Sequence, residues 1–114
     1  MAHILLIDDS EFALELIKEM LEELGHVVAA TADPHQFLQI AQTQKPDLAL
    51  VDSVMPGISG EELIAKLRQS GEILPVVLIS ASEEPLPLGE LSWSLPKPFS
   101  PEELQALIFQ ILIR

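Results

Sequence analysis

Several residues able to do chemistry stand at the ends of short apolar runs, and these are Asp8, Asp9, Asp52 and Ser80. Runs of this length are too short for helices and predict buried strands. In parallel α/β sheets the ligand crevice lies outside the carboxyl ends of the strands. These side chains are therefore expected to converge at one edge of a sheet, although they are far apart in the sequence.

Three carboxylates brought into one crevice would repel one another, and with nothing else present some of them would take up protons. A divalent cation removes that conflict. Carboxylate oxygens are hard ligands that favour Mg²⁺, which binds few carboxylates and keeps several of its waters. The pattern therefore predicts a magnesium site that is poised to gather a further anion, such as a phosphoryl group.

The nucleophile of such a site has to be a carboxylate, because the chain contains no cysteine and no serine or histidine has an evident activating partner. Attack by an aspartate on a phosphoryl group gives an acyl phosphate, a recognised covalent intermediate. Lys97, between Pro96 and Pro98, can offset charge on the transferring group. The Ser80 hydroxyl can donate a hydrogen bond to a phosphoryl oxygen.

Apolar runs and helix signals alternate along the chain. The predicted strands are His3–Ile7, His26–Ala30, Asp47–Val51, Leu74–Ile79 and Leu91–Leu95. Helix starts are indicated by Ser10, by Asp33-Pro34, and by capping boxes at Ser59 with Glu62 and at Ser100 with Glu103. Gly25 and Gly71 are typical of helix ends. Strands that alternate with helices predict a parallel sheet covered on both faces.

Taken together, the pieces resemble the response-regulator receiver family, also called CheY-like. They are Ile4–Ser10, Pro46–Asp52, Met55-Pro56 with Gly60, Ser80-Ala81 and Lys97–Phe99. Each piece alone is also typical of a helix start, a turn or loop punctuation, and only the whole set in register is specific. The resemblance implies a flavodoxin-like three-layer α/β sandwich with a five-stranded parallel sheet of order 2-1-3-4-5. This is the strand order already known for the chemotaxis receiver.

The resemblance also implies roles by position. Asp52 is the phospho-acceptor, which takes its phosphoryl group from a histidine kinase or phosphotransfer protein. Asp9 and Asp52 coordinate Mg²⁺, Asp8 acts largely through water, and the backbone carbonyl of Val54 completes the metal site. Such a domain is not an enzyme on a separate substrate, although it assists its own phosphorylation and dephosphorylation.

The remaining implied roles concern the phosphoryl oxygens. Ser80 and Lys97 bind them, and the Lys97–Pro98 peptide bond is expected to be cis. A downstream partner then responds to the phosphorylated state.

The sequence departs from the family in one region. The family's aromatic switch position holds Ser94 here, and its neighbour Trp93 could replace the aromatic only through a bulge, because successive strand residues face opposite ways. Residues 82–91 include Pro85 and Pro87, and proline inside a helix costs about 3 kcal/mol. We therefore expect the fourth helix of the family, between the fourth and fifth strands, to be reduced or missing.

The last helix carries apolar residues on two sides. Those on the inward side are Leu104, Leu107, Ile108 and Ile111, whereas Phe109 and Ile113 fall on roughly the opposite side. Two exposed apolar residues beside a missing helix predict a patch for a downstream protein or for self-association, formed by the fifth strand and the last helix.

Length and charge limit the remaining possibilities. The 114 residues fit one domain, 1–114, and a formal charge of −12 disfavours nucleic acid. No signal peptide or membrane-length apolar run is present, which indicates a cytoplasmic protein.

Three classes of function are compatible with these sequence features to different degrees. The first is a phosphorylation-controlled signalling domain, and the second is a receiver-like interaction or dimerisation module whose phospho-switching is weakened. The third is a Mg²⁺-dependent aspartyl phosphatase. That class would need a substrate cap and a second acid near the nucleophile, and Ser53-Val54 offers no such acid.

Overall fold

The computed structural model describes residues 1–80 and 91–113. Within these residues the chain forms five strands and four helices. The strands are β1 (His3–Ile7), β2 (Val27–Thr31), β3 (Leu48–Asp52), β4 (Val76–Ser80) and β5 (Ser92–Pro96). The helices are α1 (Glu11–Glu23), α2 (Pro34–Gln44), α3 (Gly60–Gln69) and α4 (Pro101–Leu112). In this part of the chain, no helix is long and apolar enough to cross a membrane.

The five strands form one parallel sheet in the order β2-β1-β3-β4-β5, which confirms the predicted fold class. Four predicted strands began or ended one or two residues too early. Asp52 still pairs with Ile79, and Ser80 still pairs with Pro96, so in β3 and β4 the polar residue that ends the apolar run belongs to the ladder. The prediction of a reduced or missing helix between β4 and β5 falls mainly on residues 81–90, which lie outside the described residues.

The predicted helix starts are confirmed by their capping contacts. The Ser10 hydroxyl accepts from the Ala13 N–H at 3.3 Å, and Asp33 caps α2 by accepting from the His35 N–H at 2.9 Å. Both predicted capping boxes are complete, because the backbone and side-chain bonds are present at each. These bonds satisfy N–H groups that would otherwise have no partner at the helix starts.

Side chains of alternating strand residues fill two cores, one on each face of the sheet. Helices α1 and α4 cover one face, where Leu21, Leu104 and Ile108 are fully or almost fully buried. Helices α2 and α3 cover the other face, where Phe37 and Leu63 are fully buried. The central strands therefore lie between two apolar layers, which explains their continuous apolar runs.

Arg68 ties the end of α3 to the start of β5. Its guanidinium donates to the carbonyls of Glu72, Leu74 and Leu91 at 3.2, 2.6 and 3.1 Å. Burial lowers the pKa of this side chain from its ordinary value. The Leu91 carbonyl also accepts from the Val76 N–H at 3.0 Å, so one atom fixes both β5 and the first residue of β4.

Gly60 allows α3 to approach the end of β3. Its N–H donates to the Ser53 carbonyl at 3.0 Å. A Cβ at this position would lie 2.5 Å from the Asp52 carbonyl oxygen, 2.6 Å from Leu78 Cδ1 and 2.9 Å from Ser53 Cα. Backbone atoms supply two of these three contacts, so a side chain could be accommodated only by moving the helix.

We expect Gly60→Ala to lower the free energy of unfolding by about 1–3 kcal/mol, because the added methyl group overpacks this contact. The measurement is urea unfolding of the variant and the wild type. Gln69→Ala, at an exposed position of the same helix, is the control and should change stability by less than about 0.5 kcal/mol. Helix propensity alone would make the alanine stabilising by about 1 kcal/mol, so a gain in stability would contradict this explanation.

Candidate functional site

The carboxyl ends of four strands bring the predicted site residues together. Asp52 is the last residue of β3 and Ser80 the last of β4, while Asp8 follows β1 and Lys97 follows β5. One carboxylate oxygen from each of Asp8, Asp9 and Asp52 lies within 4.8 Å of the other two. The Lys97 ammonium lies 3.2 Å from Asp52 Oδ1. The expected convergence of these side chains is therefore present in the fold.

The site is largely buried. Among the described residues, four polar or charged residues are buried, and three of them are predicted site residues: Asp8, Asp52 and Ser80, at 2%, 6% and 7% exposure. Asp9 is exposed, and the Lys97 side chain keeps 38% of its surface accessible. The site therefore combines two buried carboxylates, Asp8 and Asp52, with two accessible groups, Asp9 and Lys97.

Asp8 illustrates the electrostatic conflict in this pocket. Burial raises the pKa of its carboxyl above the ordinary value of 3.8, and the nearby negative charge of Asp52 adds to the increase. The Ser10 N–H donates to Asp8 Oδ1 at 2.9 Å and opposes the increase, as does the positive charge of Lys97. The partners inside the protein therefore compensate the burial of this charge only in part.

The donor set fits a hard divalent cation. Three carboxylates face one ammonium group, which leaves two negative charges in excess if all four groups are ionised. Oxygen ligands on a partly open pocket suit Mg²⁺, which retains waters in its coordination shell. Val54 lies two residues beyond Asp52 in the loop after β3, and this residue is 77% exposed.

The position of Lys97 is fixed by the neighbouring strand. Its N–H donates to the Ser80 carbonyl at 2.8 Å, which continues the pairing of β4 and β5 past the end of the strand. The Lys97–Pro98 peptide bond is cis, as predicted. The lysine therefore starts from the same strand end as Ser80, and its side chain reaches across to Asp52.

Met55 and Gly60 support the site, and the sequence alone assigned neither of them a role. Met55 is buried at 9% exposure within the core beneath α2 and α3, so it anchors the loop that follows Asp52. Gly60 sets the distance between that loop and α3. For Met55, the available signal was a large apolar residue in a loop rich in proline and glycine. For Gly60, it was a glycine directly after a capping serine.

Trp93 does not take the place of Ser94. The β4–β5 register is continuous from Val76↔Ser92 to Ser80↔Pro96, without a bulge. Trp93 packs against the core shared by α1 and α4. Ser94 pairs with Leu78, whose side chain belongs to the opposite core. The two residues therefore face different layers, and the register change that a substitution would need is not present.

Comparisons with known proteins agree with this arrangement. The profile of the response regulator receiver domain matches residues 4–109. The alkaline phosphatase synthesis transcriptional regulatory protein PhoP of Bacillus subtilis is 35% identical over 117 residues, which cover 97% of this chain and 48% of that protein. Protein PilH of Pseudomonas aeruginosa is 33% identical over 86 residues, which cover 74% of this chain and 71% of PilH. The structure of the chemotaxis protein CheY4 of Vibrio cholerae has a TM-score of 0.86 and 27% identity, and covers 98% of this chain and 99% of CheY4.

The fold and its acidic edge define a parallel α/β domain of the receiver class. The chain belongs to the response regulator receiver domain family, as its sequence motifs predicted. It spans about half the length of the first curated relatives that it matches.

We expect Asp8→Asn to raise the free energy of unfolding at pH 7 in the absence of divalent cations, because it removes a buried charge and keeps an acceptor for the Ser10 N–H. The folded-state pKa of Asp8 is raised, so the wild type gains stability from this group as the pH falls through that value. The advantage of the variant should therefore shrink as the pH falls and vanish below the ordinary pKa of 3.8.

Urea unfolding over a pH series measures this difference. Asp9→Asn is the control, because it removes one charge of the same cluster from an exposed position and should give a smaller gain. An Asp8→Asn variant that is less stable than the wild type at pH 7 without metal would show that the buried carboxylate is fully compensated.

Proposed function

We propose that this domain is a phospho-acceptor whose Asp52 takes a phosphoryl group from a phosphohistidine of a histidine kinase or phosphotransfer protein. The observation that carries the proposal is the set of charged groups around the buried Asp52 carboxylate. This carboxylate is 6% exposed, lies 3.2 Å from the Lys97 ammonium, and shares a cluster with the carboxylates of Asp8 and Asp9. Membership of the receiver family supports the same role.

The transfer uses groups of this chain at defined places. A carboxylate oxygen of Asp52 attacks the phosphorus, the new O–P bond forms, and the donor's P–N bond breaks with its electron pair returning to the imidazole nitrogen. Lys97, already beside Asp52, offsets negative charge on the phosphoryl oxygens, and the Ser80 hydroxyl donates a hydrogen bond to one of them. The product is an aspartyl phosphate that water later hydrolyses.

The acidic cluster holds the metal in this proposal. Asp9 and Asp52 would hold Mg²⁺ directly, Asp8 would act through water, and the Val54 carbonyl would supply a further oxygen. When bound, the ion neutralises charge on the phosphoryl group as it approaches the carboxylates. We place this reaction in the cytoplasm, with no direct role for nucleic acid. We place the response of a downstream protein, or of a second copy, at β5 and α4.

With Mg²⁺ and acetyl phosphate, the wild type is expected to gain one phosphoryl group by intact mass, and Asp52→Asn none. Chelation of the metal should abolish the gain, because the excess negative charge then repels the phosphodonor. Asp33→Asn is the matched control, since it removes a carboxylate that is not part of the cluster of Asp8, Asp9 and Asp52 and retains an equally good helix cap. Equal phosphorylation of the wild type and Asp52→Asn would overturn the assignment of the acceptor.

A second candidate function is a receiver-like interaction or dimerisation module with weakened phospho-switching. The observation that favours it is Ser94, a small polar residue on a regular strand whose neighbour Trp93 faces the other layer. No large side chain of β5 then stands where the family places its aromatic switch. Phosphorylation would occur in such a module without a full response at α4.

Beryllofluoride with Mg²⁺ separates the two candidates. Because Trp93 is the only tryptophan of the chain, its fluorescence reports on the layer formed by α1 and α4, and amide hydrogen exchange of α4 reports on the helix itself. For a full switch, both signals should change in the wild type and neither in Asp52→Asn. Binding of beryllofluoride without a change in α4 exchange would favour the interaction module.

A further inference from the structure

Strand β2 forms an open edge of the described sheet, because it stands at the end of the strand order and pairs there with β1 alone. Proteins commonly protect such an edge with charged residues, proline or a bulge, since its unpaired backbone groups can bond to another chain. The five residues of β2, VVAAT, include no charged residue and no proline. Their register with β1 is continuous, without a bulge. This edge is therefore available for pairing with a further strand.

The backbone groups of β2 alternate between bonding to β1 and pointing outward. The Val27 N–H donates to the Ala2 carbonyl at 2.9 Å, so Val27 directs its backbone toward β1. In a parallel ladder every second residue of a strand bonds to a given neighbour. Val28 and Ala30 therefore direct their N–H and C=O groups away from the sheet. Ala30 is also exposed to solvent, so a new strand can reach these groups.

An acidic depression lies beside this edge on the face of the sheet that α1 covers. Its volume is about 580 Å³, and its lining includes Glu11, Glu15 and Lys18 of α1 with Val28 and Ala30 of β2. Both glutamates are exposed, whereas the lysine is partly buried. Two carboxylates face one ammonium group, and the whole chain carries a formal charge of −12. This side of the edge therefore attracts basic side chains.

A separate and smaller depression lies on the face that α2 covers. Its volume is about 100 Å³, and its lining includes Val27 and Ala29 of β2 with Ile40 and Gln44 of α2. No carboxylate, lysine or arginine of the described chain lines it. Ala29 and Ile40 also pack against the core beneath α2 and α3. This side of the edge is therefore suited to small apolar side chains.

The free backbone groups determine the shape of the partner. Val28 and Ala30 each offer one donor and one acceptor, which an extended segment can match with its own N–H and C=O groups. A helix cannot do so, because its backbone groups are already bonded within the helix. Antiparallel pairing is favoured, since it is slightly more stable per residue than parallel pairing.

A second copy of this chain is a poor occupant of the edge. Each copy carries the same formal charge of −12, and like charges oppose association. Two copies joined through β2 would also bring two acidic depressions to one interface. A basic segment of another protein meets neither obstacle.

We propose that β2 pairs with an extended segment of a partner protein, in which basic residues alternate with small apolar residues. The segment adds an antiparallel strand and bonds to the backbones of Val28 and Ala30. Its basic side chains lie on the α1 side near Glu11 and Glu15, and its apolar side chains lie on the α2 side. The pairing needs no phosphoryl group at Asp52, so it goes beyond the function proposed above.

The probe is a fluorescent peptide of about nine residues in which lysine and valine alternate, since strands of this length are common. Fluorescence anisotropy is expected to show saturable binding to the wild type. A peptide of the same composition, with the lysines and valines in two separate blocks, should bind at least about tenfold more weakly. Equal binding of the two peptides would reduce the interaction to unspecific charge attraction and overturn the proposal.

Backbone methylation of the probe tests the strand pairing itself. Directly opposite residues of an antiparallel pair share a face of the sheet, and the hydrogen-bonded pairs exchange both bonds. Val28 packs on the α1 side, so the residues that bond to it and to Ala30 are the lysines of the probe. N-methylation of the lysines should weaken binding at least about tenfold, and N-methylation of the valines should leave it unchanged. Equal effects of the two methylations would contradict strand addition.

Matched variants locate the binding on β2. Ala30→Pro removes an outward N–H without breaking a bond of the sheet, and it should weaken binding at least about tenfold. Ala30→Ser keeps that N–H and should bind as the wild type does. Glu15→Gln should weaken binding about two- to fourfold, and Glu61→Gln, at an exposed position on α3, should not. Circular dichroism shows that each variant keeps its fold. A folded Ala30→Pro variant that binds as tightly as the wild type would overturn the proposal.

Two further outcomes separate the occupants and the functions. Asp52→Asn should bind the peptide as the wild type does, so a failure of phosphoryl transfer leaves this test intact. Light scattering should show a monomeric wild type at the concentrations used. A dimer that Ala30→Pro dissociates would instead identify the occupant of β2 as a second copy, against the proposal.

Discussion

The burial of two carboxylates at the end of a parallel sheet is the constraint on which the rest of this structure depends. Asp8 and Asp52 are almost fully buried in one cluster, where each disfavours the charge of the other. The fold offsets this with one backbone N–H at Asp8 and one ammonium at Asp52. The remaining negative charge makes the edge receptive to a cation, so the same feature that costs stability creates the binding capacity.

The position of those carboxylates depends on contacts that are themselves apolar or confined to the backbone. Asp52 is held by its pairing with Ile79 within the sheet, and the loop after it is held by the buried Met55. Gly60 then brings α3 against the backbone of Asp52 and Ser53 at a distance that no larger residue permits. The geometry of a charged site is thus determined by close packing around it, because tightly packed surroundings allow little displacement of the carboxylate.

Features that depend on local chemistry could be predicted from the sequence. Helix starts at Ser10, Ser59 and Ser100 follow from bonds within one turn, and strand order followed once the motifs were recognised together. Strand ends were predicted too early, because a polar residue such as Asp52 or Ser80 interrupts the apolar pattern while its backbone remains paired. The bond of Arg68 to the Leu91 carbonyl could not be predicted, since the two residues are 23 positions apart in the chain and meet only in the folded sheet.

A displacement at the site would reach the rest of the protein through β5, whose two faces carry side chains of different size. Lys97 directly follows this strand, and its backbone is bonded to the end of β4. The large side chains of β5, Trp93 and Leu95, both pack toward α1 and α4. Ser94, which lies between them in the sequence, faces the layer of α2 and α3 and fills little volume there. A displacement of the lysine would therefore bear mainly on the layer formed by α1 and α4, because that is where β5 has side chains large enough to transmit it.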